Sequence, residues 1–224
     1  IERVGRSQVQ YFLSKLKEFS YFEWHRKMLD GTDIIKDIFW AHSISLDFLR
    51  TFPRVIILDC TYKTNRYRMP LLEIVGVTCT DLTFCIAIAY LVSETKENYT
   101  WALERLKSVL IDCEVELPSV FVSDREIALV NAIGVVFPNS AHMLCTWHIK
   151  NNVLTFMQKR VKGMELEEKK SFLFDWNELV CSKNLSAYNE NLQVLHEKYG
   201  NHTSLLKYIH ETWLDTYKDR FVQA

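Results

Sequence analysis

Arg54-Val55-Ile56-Ile57-Leu58-Asp59-Cys60-Thr61-Tyr62-Lys63-Thr64-Asn65 is the stretch whose reading decides the fold. Its first half is a run of β-branched and leucine residues, the pattern of a strand buried on both faces. Asp59 interrupts that run. Side chains alternate along a strand, so Val55, Ile57, Asp59 and Thr61 share one face, and Ile56, Leu58, Cys60 and Tyr62 share the other. An ionised carboxylate among such neighbours is costly unless a cation meets it. Taken alone, Asp59 reads either as a strand-end aspartate bonded to a turn or an arginine, or as a metal ligand at the centre of a site.

Downstream lie two more strand-like runs, 71–79 and 83–92, joined by Thr80-Asp81-Leu82, which is short enough for a hairpin. A helix from about Asn98 carries the apolar stripe Ala102, Leu103, Leu106, Val109, Leu110 and Cys113. A strand over 119–123 ends at Asp124, a helix over 125–135 follows, and 141–147 is the last strand candidate. From His148 onward the spacing is helical, with breaks at Gly163, Ser182-Lys183-Asn184 and Gly200-Asn201. Upstream, 7–19 reads as an amphipathic helix, 21–28 and 34–41 as strands, and Ser43 as the cap of a short helix over 44–50. The expected organisation is an α+β preface over 1–52 without chemistry, a core over 53–150 and an all-helical insertion over 151–224.

Three strands joined by short turns make an antiparallel meander, and a helical crossover then delivers the fourth strand to a free edge. If that strand docks beside the first and parallel to it, the two lie ~4.8 Å apart and Asp59 meets Asp124 where they run out. Two carboxylates that close repel each other unless a cation sits between them. The expected fold is therefore an α/β, ribonuclease H-like mixed five-stranded sheet with flanking helices, the frame of a divalent-metal phosphoryl-transfer site. Asp124 also fits another role, because Ser123-Asp124-Arg125-Glu126 has the form of a capping box with Ser123 as the cap.

Several motifs in this order resemble one family. Residues 58–65 followed by Met69-Pro70-Leu71-Leu72 resemble the first catalytic block of Mutator-like element (MULE) transposases, and 121–129 resemble the second. Phe137-Pro138-Asn139 with Cys145-Thr146-Trp147-His148 resembles the Cys-x-x-His block, and Phe39-Trp40-Ala41-His42 the segment before the core. The resemblance spans roughly residues 7–155. It implies a DDE-type transposase in which two aspartates and a glutamate hold two magnesium or manganese ions. One ion activates the attacking hydroxyl or water and the other stabilises the leaving oxygen. Asp59 matches the first aspartate and Asp124 the second; Cys145 and His148 match the Cys-x-x-His pair as active-site support. Transposon ends and target DNA are the implied partners, with a homo-oligomer in the full-length protein and a nuclear location. His142-x-x-Cys145-x-x-His148 lacks the fourth ligand of a structural zinc site, so the pair reads as support rather than as a zinc centre.

The third carboxylate is expected beyond Ala224, after the helical insertion. Glu190, Glu197 and Glu211 are nearer, but each belongs to the polar face of an amphipathic helix. The chain starts at Ile1 without a methionine and stops at Ala224 without a closing signal, as a piece of a longer protein would. By this reading the 224 residues cannot cut DNA by themselves.

With 48% hydrophobic residues the chain can bury a sizeable core, and a net charge of −1 excludes a global basic field. DNA contact then falls to local patches: Arg50, Arg54, Lys63, Arg66 and Arg68, or Lys150, Lys159, Arg160 and Lys162. Of these, Lys63, Arg66, Arg68 and Lys150 are the candidates for backbone contacts. Six cysteines without a CxxC pair read as reduced core thiols of an intracellular protein. No apolar run is long enough to cross a bilayer. The main alternative to an enzyme is a domesticated transposase-derived domain acting in transcriptional regulation without catalysis. A ribonuclease H-like exonuclease fits less well, since the place of its usual second carboxylate is held by Thr61.

Overall fold

The computed structural model describes residues 5–224. In chain order these form α1 (Gln8–Glu18), β1 (Tyr21–Lys27), β2 (Ile35–His42), α2 (Ser43–Thr51), β3 (Val55–Thr61), β4 (Leu71–Val77) and β5 (Thr83–Tyr90). Then come α3 (Lys96–Asp112), β6 (Val120–Ser123), α4 (Ile127–Val136), β7 (Ala141–Leu144), α5 (Thr146–Arg160), α6 (Leu166–Val180), α7 (Leu185–Tyr199) and α8 (Thr203–Ile209). The chain divides into two compact units, Ile1–His142 and Met143–Ala224, with the boundary inside β7.

The first unit is built on a mixed sheet of seven strands in the order β1-β2-β5-β4-β3-β6-β7. The meander β3-β4-β5 is antiparallel, and β6 docks parallel beside β3, as the crossover argument requires. Five strands were expected and seven are present. The hairpin β1-β2, read from sequence as a separate preface, extends the same sheet by pairing Ile38, Phe39, Trp40 and Ala41 with Tyr90, Ala89, Ile88 and Ala87 of β5. An isolated hairpin is marginal in water, and Phe39 and Ala41 gain burial by joining the common core.

One face of the sheet is sealed. Ile56, Leu58, Leu72, Ile74 and Phe121 meet the buried stripes of α2, α3 and α4, among them Leu46, Leu49, Tyr99, Leu103, Leu106, Leu129 and Ile133. The opposite face is wetter: Val55, Ile57 and Asp59 are only half-buried. The expectation of a strand buried on both faces is thus corrected. α1 lies towards the β1-β2 side of this second face, where Phe12 packs edge-on against Trp40 at 5.2 Å between ring centroids.

The hairpin is locked to the core by buried polar chemistry. Asp37 of β2 has no exposure and accepts from Arg26 Nε at 2.5 Å and from the Val92 amide at 2.9 Å. Arg26 also donates to Asn98 Oδ1 at 2.5 Å, while Asn98 Nδ2 donates to the Ser93 carbonyl at 2.8 Å. These bonds fasten the β5-α3 connection to the far edge of the sheet.

Two helix starts differ from expectation. His42, not Ser43, caps α2, its Nδ1 accepting from the Ile44 amide at 3.1 Å. The capping box at 123–126 does not form: α4 begins at Ile127, and Glu126 caps it through the Ala128 amide at 3.1 Å. The cysteines are all free, but none is fully buried, and Cys79, Cys85 and Cys181 are exposed. The core-thiol reading is corrected accordingly: Cys79 follows β4 into the hairpin turn, Cys85 lies opposite Val75 on the wetter face, and Cys181 ends α6.

The second unit is helical throughout α5, α6, α7 and α8, around a separate core of Val153, Met157, Phe172, Trp176, Leu195, Tyr199, Leu205 and Trp213. Tyr199 donates to Asp175 at 2.5 Å, and His202 contacts Glu168 at 2.8 Å, tying α7 and its exit to α6. Among the described residues no helix is long and apolar enough to cross a membrane.

Candidate active site

β3 and β6 pair with Val55 beside Val120, Ile56 beside Phe121 and Ile57 beside Val122. Continuing that offset two residues past the last pair would set Asp59 level with Asp124, the first residue beyond β6. Strand alternation puts both on the wetter face, with Val55, Ile57, Val120 and Val122. The two aspartates singled out from sequence thus belong to the carboxyl ends of two paired parallel strands, Asp59 within β3 and Asp124 just past β6.

The ladder adds a carboxylate that the sequence reading passed over. Glu73 of β4 is the direct partner of Asp59 across the antiparallel pair. Directly opposed residues point to the same side, and like charges there are destabilising. Glu73 and Asp59 thus form an acidic pair across β3 and β4. Only the hairpin register reveals Glu73, and the nine residues between β3 and β4 leave that register open in the sequence.

Asp124 is held as the chain leaves β6. Its Oδ1 accepts from the Glu126 amide at 3.2 Å. The preceding Ser123 is fully buried, donates to the Asp124 carbonyl at 2.8 Å and contacts His142 Nε2 at 2.9 Å. Because the hydroxyl has one proton to give, the imidazole Nε2–H is the donor in the second contact. Asp59 Oδ2 receives the Thr61 hydroxyl at 3.4 Å.

Behind Asp59 the chemistry is protonated. Burial pushes the Cys60 thiol up, and the neighbouring carboxylates Glu94 and Asp59 add to that while Tyr99 opposes it. The Tyr99 phenol is raised as well, first by burial and then by Cys60 and Glu94. Tyr62 donates to Glu94 Oε2. Glu94 was not read from sequence, since it is thirty-five positions from Asp59 and arrives through the β5-α3 connection.

The remaining predicted residues separate. Lys63, Arg66 and Arg68 lie in the loop leaving the Asp59 end of β3. Arg54 precedes the opposite end, ~17 Å away at the rise of a strand, and Arg50 is tied to Asp47 and the Cys113 carbonyl. The basic run at 50–70 is thus not one patch. In the second unit, Cys145 is the residue before α5, its carbonyl accepting from the Ile149 amide at 3.1 Å. His148 lies in the first turn, its ring edge-on to Trp147 at 4.8 Å. Lys150 is exposed and lines a cleft of about 210 Å³ with Trp147, Trp176 and Phe221. Lys159 and Arg160 occupy the last turn of α5, where cations favour the helix dipole. Glu190, Glu197 and Glu211 are exposed and engage Ser186, Gln193 and Lys207 on their own helical segments.

Among the described residues no group of three His, Cys, Asp or Glu side chains is placed to enclose a metal ion. The Asp59–Asp124 pair nonetheless suits a hard cation: both ligands are carboxylate oxygens, and Mg²⁺ is commonly held by one or two carboxylates with water and phosphate completing its shell.

Residues 55–152 match the MULE transposase domain. Protein FAR-RED IMPAIRED RESPONSE 1 of Arabidopsis thaliana is 25% identical over 178 residues, which cover 79% of this chain and 20% of that protein. Protein FAR1-RELATED SEQUENCE 6 of Arabidopsis thaliana is 30% identical over 119 residues, 53% of this chain and 16% of that protein. PKS-NRPS hybrid synthetase cheA of Chaetomium globosum is 26% identical over 129 residues, 58% of this chain and 3% of that protein. The chain therefore spans a fifth or less of each of these relatives, and none of the three is named as a transposase. The matched region coincides with β3 through the start of α5 and includes Asp59, Asp124, Cys145 and His148. The MULE resemblance read from the sequence is thus met by a match to the MULE transposase domain over residues 55–152.

Proposed function

We propose that this chain carries the metal-binding half of a DNA strand-cleavage and strand-transfer centre, on a ribonuclease H-like arrangement of β3, β4, β5 and β6. The parallel register of β3 and β6, which ends two residues short of Asp59 and Asp124, supports the proposal. The two carboxylates would hold Mg²⁺ or Mn²⁺, which on binding supplies Lewis-acid activation of a hydroxyl and charge neutralisation on a phosphate. The chain's own part is positional: β3 and β6 fix the carboxylates, Ser123 and His142 brace the exit of β6, and Lys63, Arg66 and Arg68 meet the flanking phosphates. The protein would act on DNA in the nucleus.

A second reading draws on the relatives, none of which carries the name of a transposase. It is a transposase-derived domain retained for gene regulation, which binds DNA without cutting it.

Duplex affinity measured in Mn²⁺ and in EDTA separates the two. A metal-bridged phosphate requires tighter binding in Mn²⁺, with the gain lost in Asp59→Asn and in Asp124→Asn. Equal affinity in both buffers, unchanged by either substitution, contradicts the cleavage reading and favours the regulatory one.

A further inference from the structure

Tyr62 is an exposed ring that is nevertheless held in place. It is the first residue beyond β3, and 60% of it is exposed. Its hydroxyl donates to Glu94, and that bond, more than burial, pushes the phenol up to about 12, so the donor persists across the physiological range. Glu94 stands on a braced support, four residues before Asn98 and next to Ser93 in the network that closes on Arg26 and Asp37. The fully buried Tyr99 hydroxyl, without a well-formed hydrogen bond of its own, lies against Cys60 and Glu94 from below.

The loop that follows is equally fixed. Lys63 and Arg68 have left-handed backbones, φ 59° and 57°, which non-glycine residues adopt only at a cost. Asn65 staples the loop, its Oδ1 accepting from the Tyr67 and Met69 amides at 3.0 and 3.2 Å and its Nδ2 donating to the Met69 carbonyl at 2.7 Å. The Arg66 guanidinium stacks on the Tyr67 ring at 4.7 Å and donates to its hydroxyl at 2.5 Å. From 60 to 72 the sequence holds Lys63, Arg66 and Arg68 and no acid.

Flat rings interleaved with cations on a rigid loop match single-stranded nucleic acid, whose phosphates meet the cations and whose bases stack on the rings. In a duplex the base faces are already covered, and only the cations find partners. We propose that residues 62–69 are a platform for unpaired DNA nucleotides, on which Tyr62 stacks a base and Lys63, Arg66 and Arg68 hold the adjoining phosphates. The choice of DNA, and the placement of that base beside a phosphate at Asp59 and Asp124, rest on the function proposed above; the stacking itself rests on the loop.

The test is fluorescence anisotropy in EDTA with a labelled oligothymidylate and a duplex of equal length, using the 224-residue chain. Tyr62→Ala weakens single-strand binding about tenfold, within the range for one stacked base, and leaves duplex binding unchanged. Tyr62→Phe keeps the ring and keeps the affinity, which separates stacking from disturbance of the Glu94 bond. Joint replacement of Lys63, Arg66 and Arg68 by Ala weakens both ligands and flattens the salt dependence. The proposal is overturned if Tyr62→Ala, melting like the parent, binds the oligothymidylate as tightly, or if the parent does not bind it. Tighter binding of the matching RNA also overturns it. Because no metal is present, a Tyr62 effect survives failure of the Mn²⁺ experiment, and the Mn²⁺ effect survives failure of this one.

Discussion

Asp37 and Asp59 occupy two strands of the same sheet and are treated in opposite ways. Asp37 is wholly buried and met by Arg26, a backbone amide and, through Arg26, by Asn98. Asp59 is half-buried, with Glu73 across the ladder and Asp124 just past the end of the parallel strand β6. The first carboxylate is neutralised where it joins the hairpin to the core. The second lies opposite another carboxylate, which lowers stability, and is the one we propose holds a cation. The contrast sets an architectural acid beside one to which we assign chemistry.

Removing Arg26 should break that contrast most severely. Arg26→Ala leaves the Asp37 carboxyl group fully buried without its guanidinium partner, a loss of about 3 kcal/mol, read as a lower urea midpoint at unchanged slope. Asp59→Asn relieves repulsion against Glu73 and should stay within about 1 kcal/mol of the parent. Similar losses from the two substitutions would mean that Asp59 is as structural as Asp37.

A smaller effect appears in alkali. Cys60 and Tyr99 are held protonated in the folded chain, with pKa values raised above the ordinary 9.0 and 10.0. Stability is therefore full below pH 9 and falls as the pH rises past it, because the unfolded chain releases these protons first. Cys60→Ala should make the decline between pH 9 and 10 shallower in urea titrations. A decline of unchanged steepness would place its origin away from the Asp59 end of β3.

Much of this was readable in the sequence, for physical reasons. The alternation around Asp59, the short link at 80–82 and the helical crossover led to the meander and to a parallel β6, with Asp59 and Asp124 at matching ends. What escaped depended on contacts that spacing does not encode. The β1-β2 hairpin carried good strand signals, but nothing in them named the edge of β5 as its partner. The capping box at Ser123 was locally sound, yet Ser123 instead contacts His142, nineteen positions away. Arg54 and Lys63 are close in sequence and lie beyond opposite ends of a strand. Glu73 and Glu94 became visible only with the ladder register and the tertiary path of the β5-α3 connection.

Mn²⁺ titration followed by the electron paramagnetic resonance signal of the free ion tests the central claim most directly. The account predicts saturable binding of roughly millimolar strength, as expected of a site with two protein carboxylates. Asp59→Asn and Asp124→Asn should each abolish it, while Glu190→Gln on the helical unit leaves it intact. Absence of binding by the parent chain, or binding that survives both aspartate substitutions, would contradict a metal centre at the ends of β3 and β6.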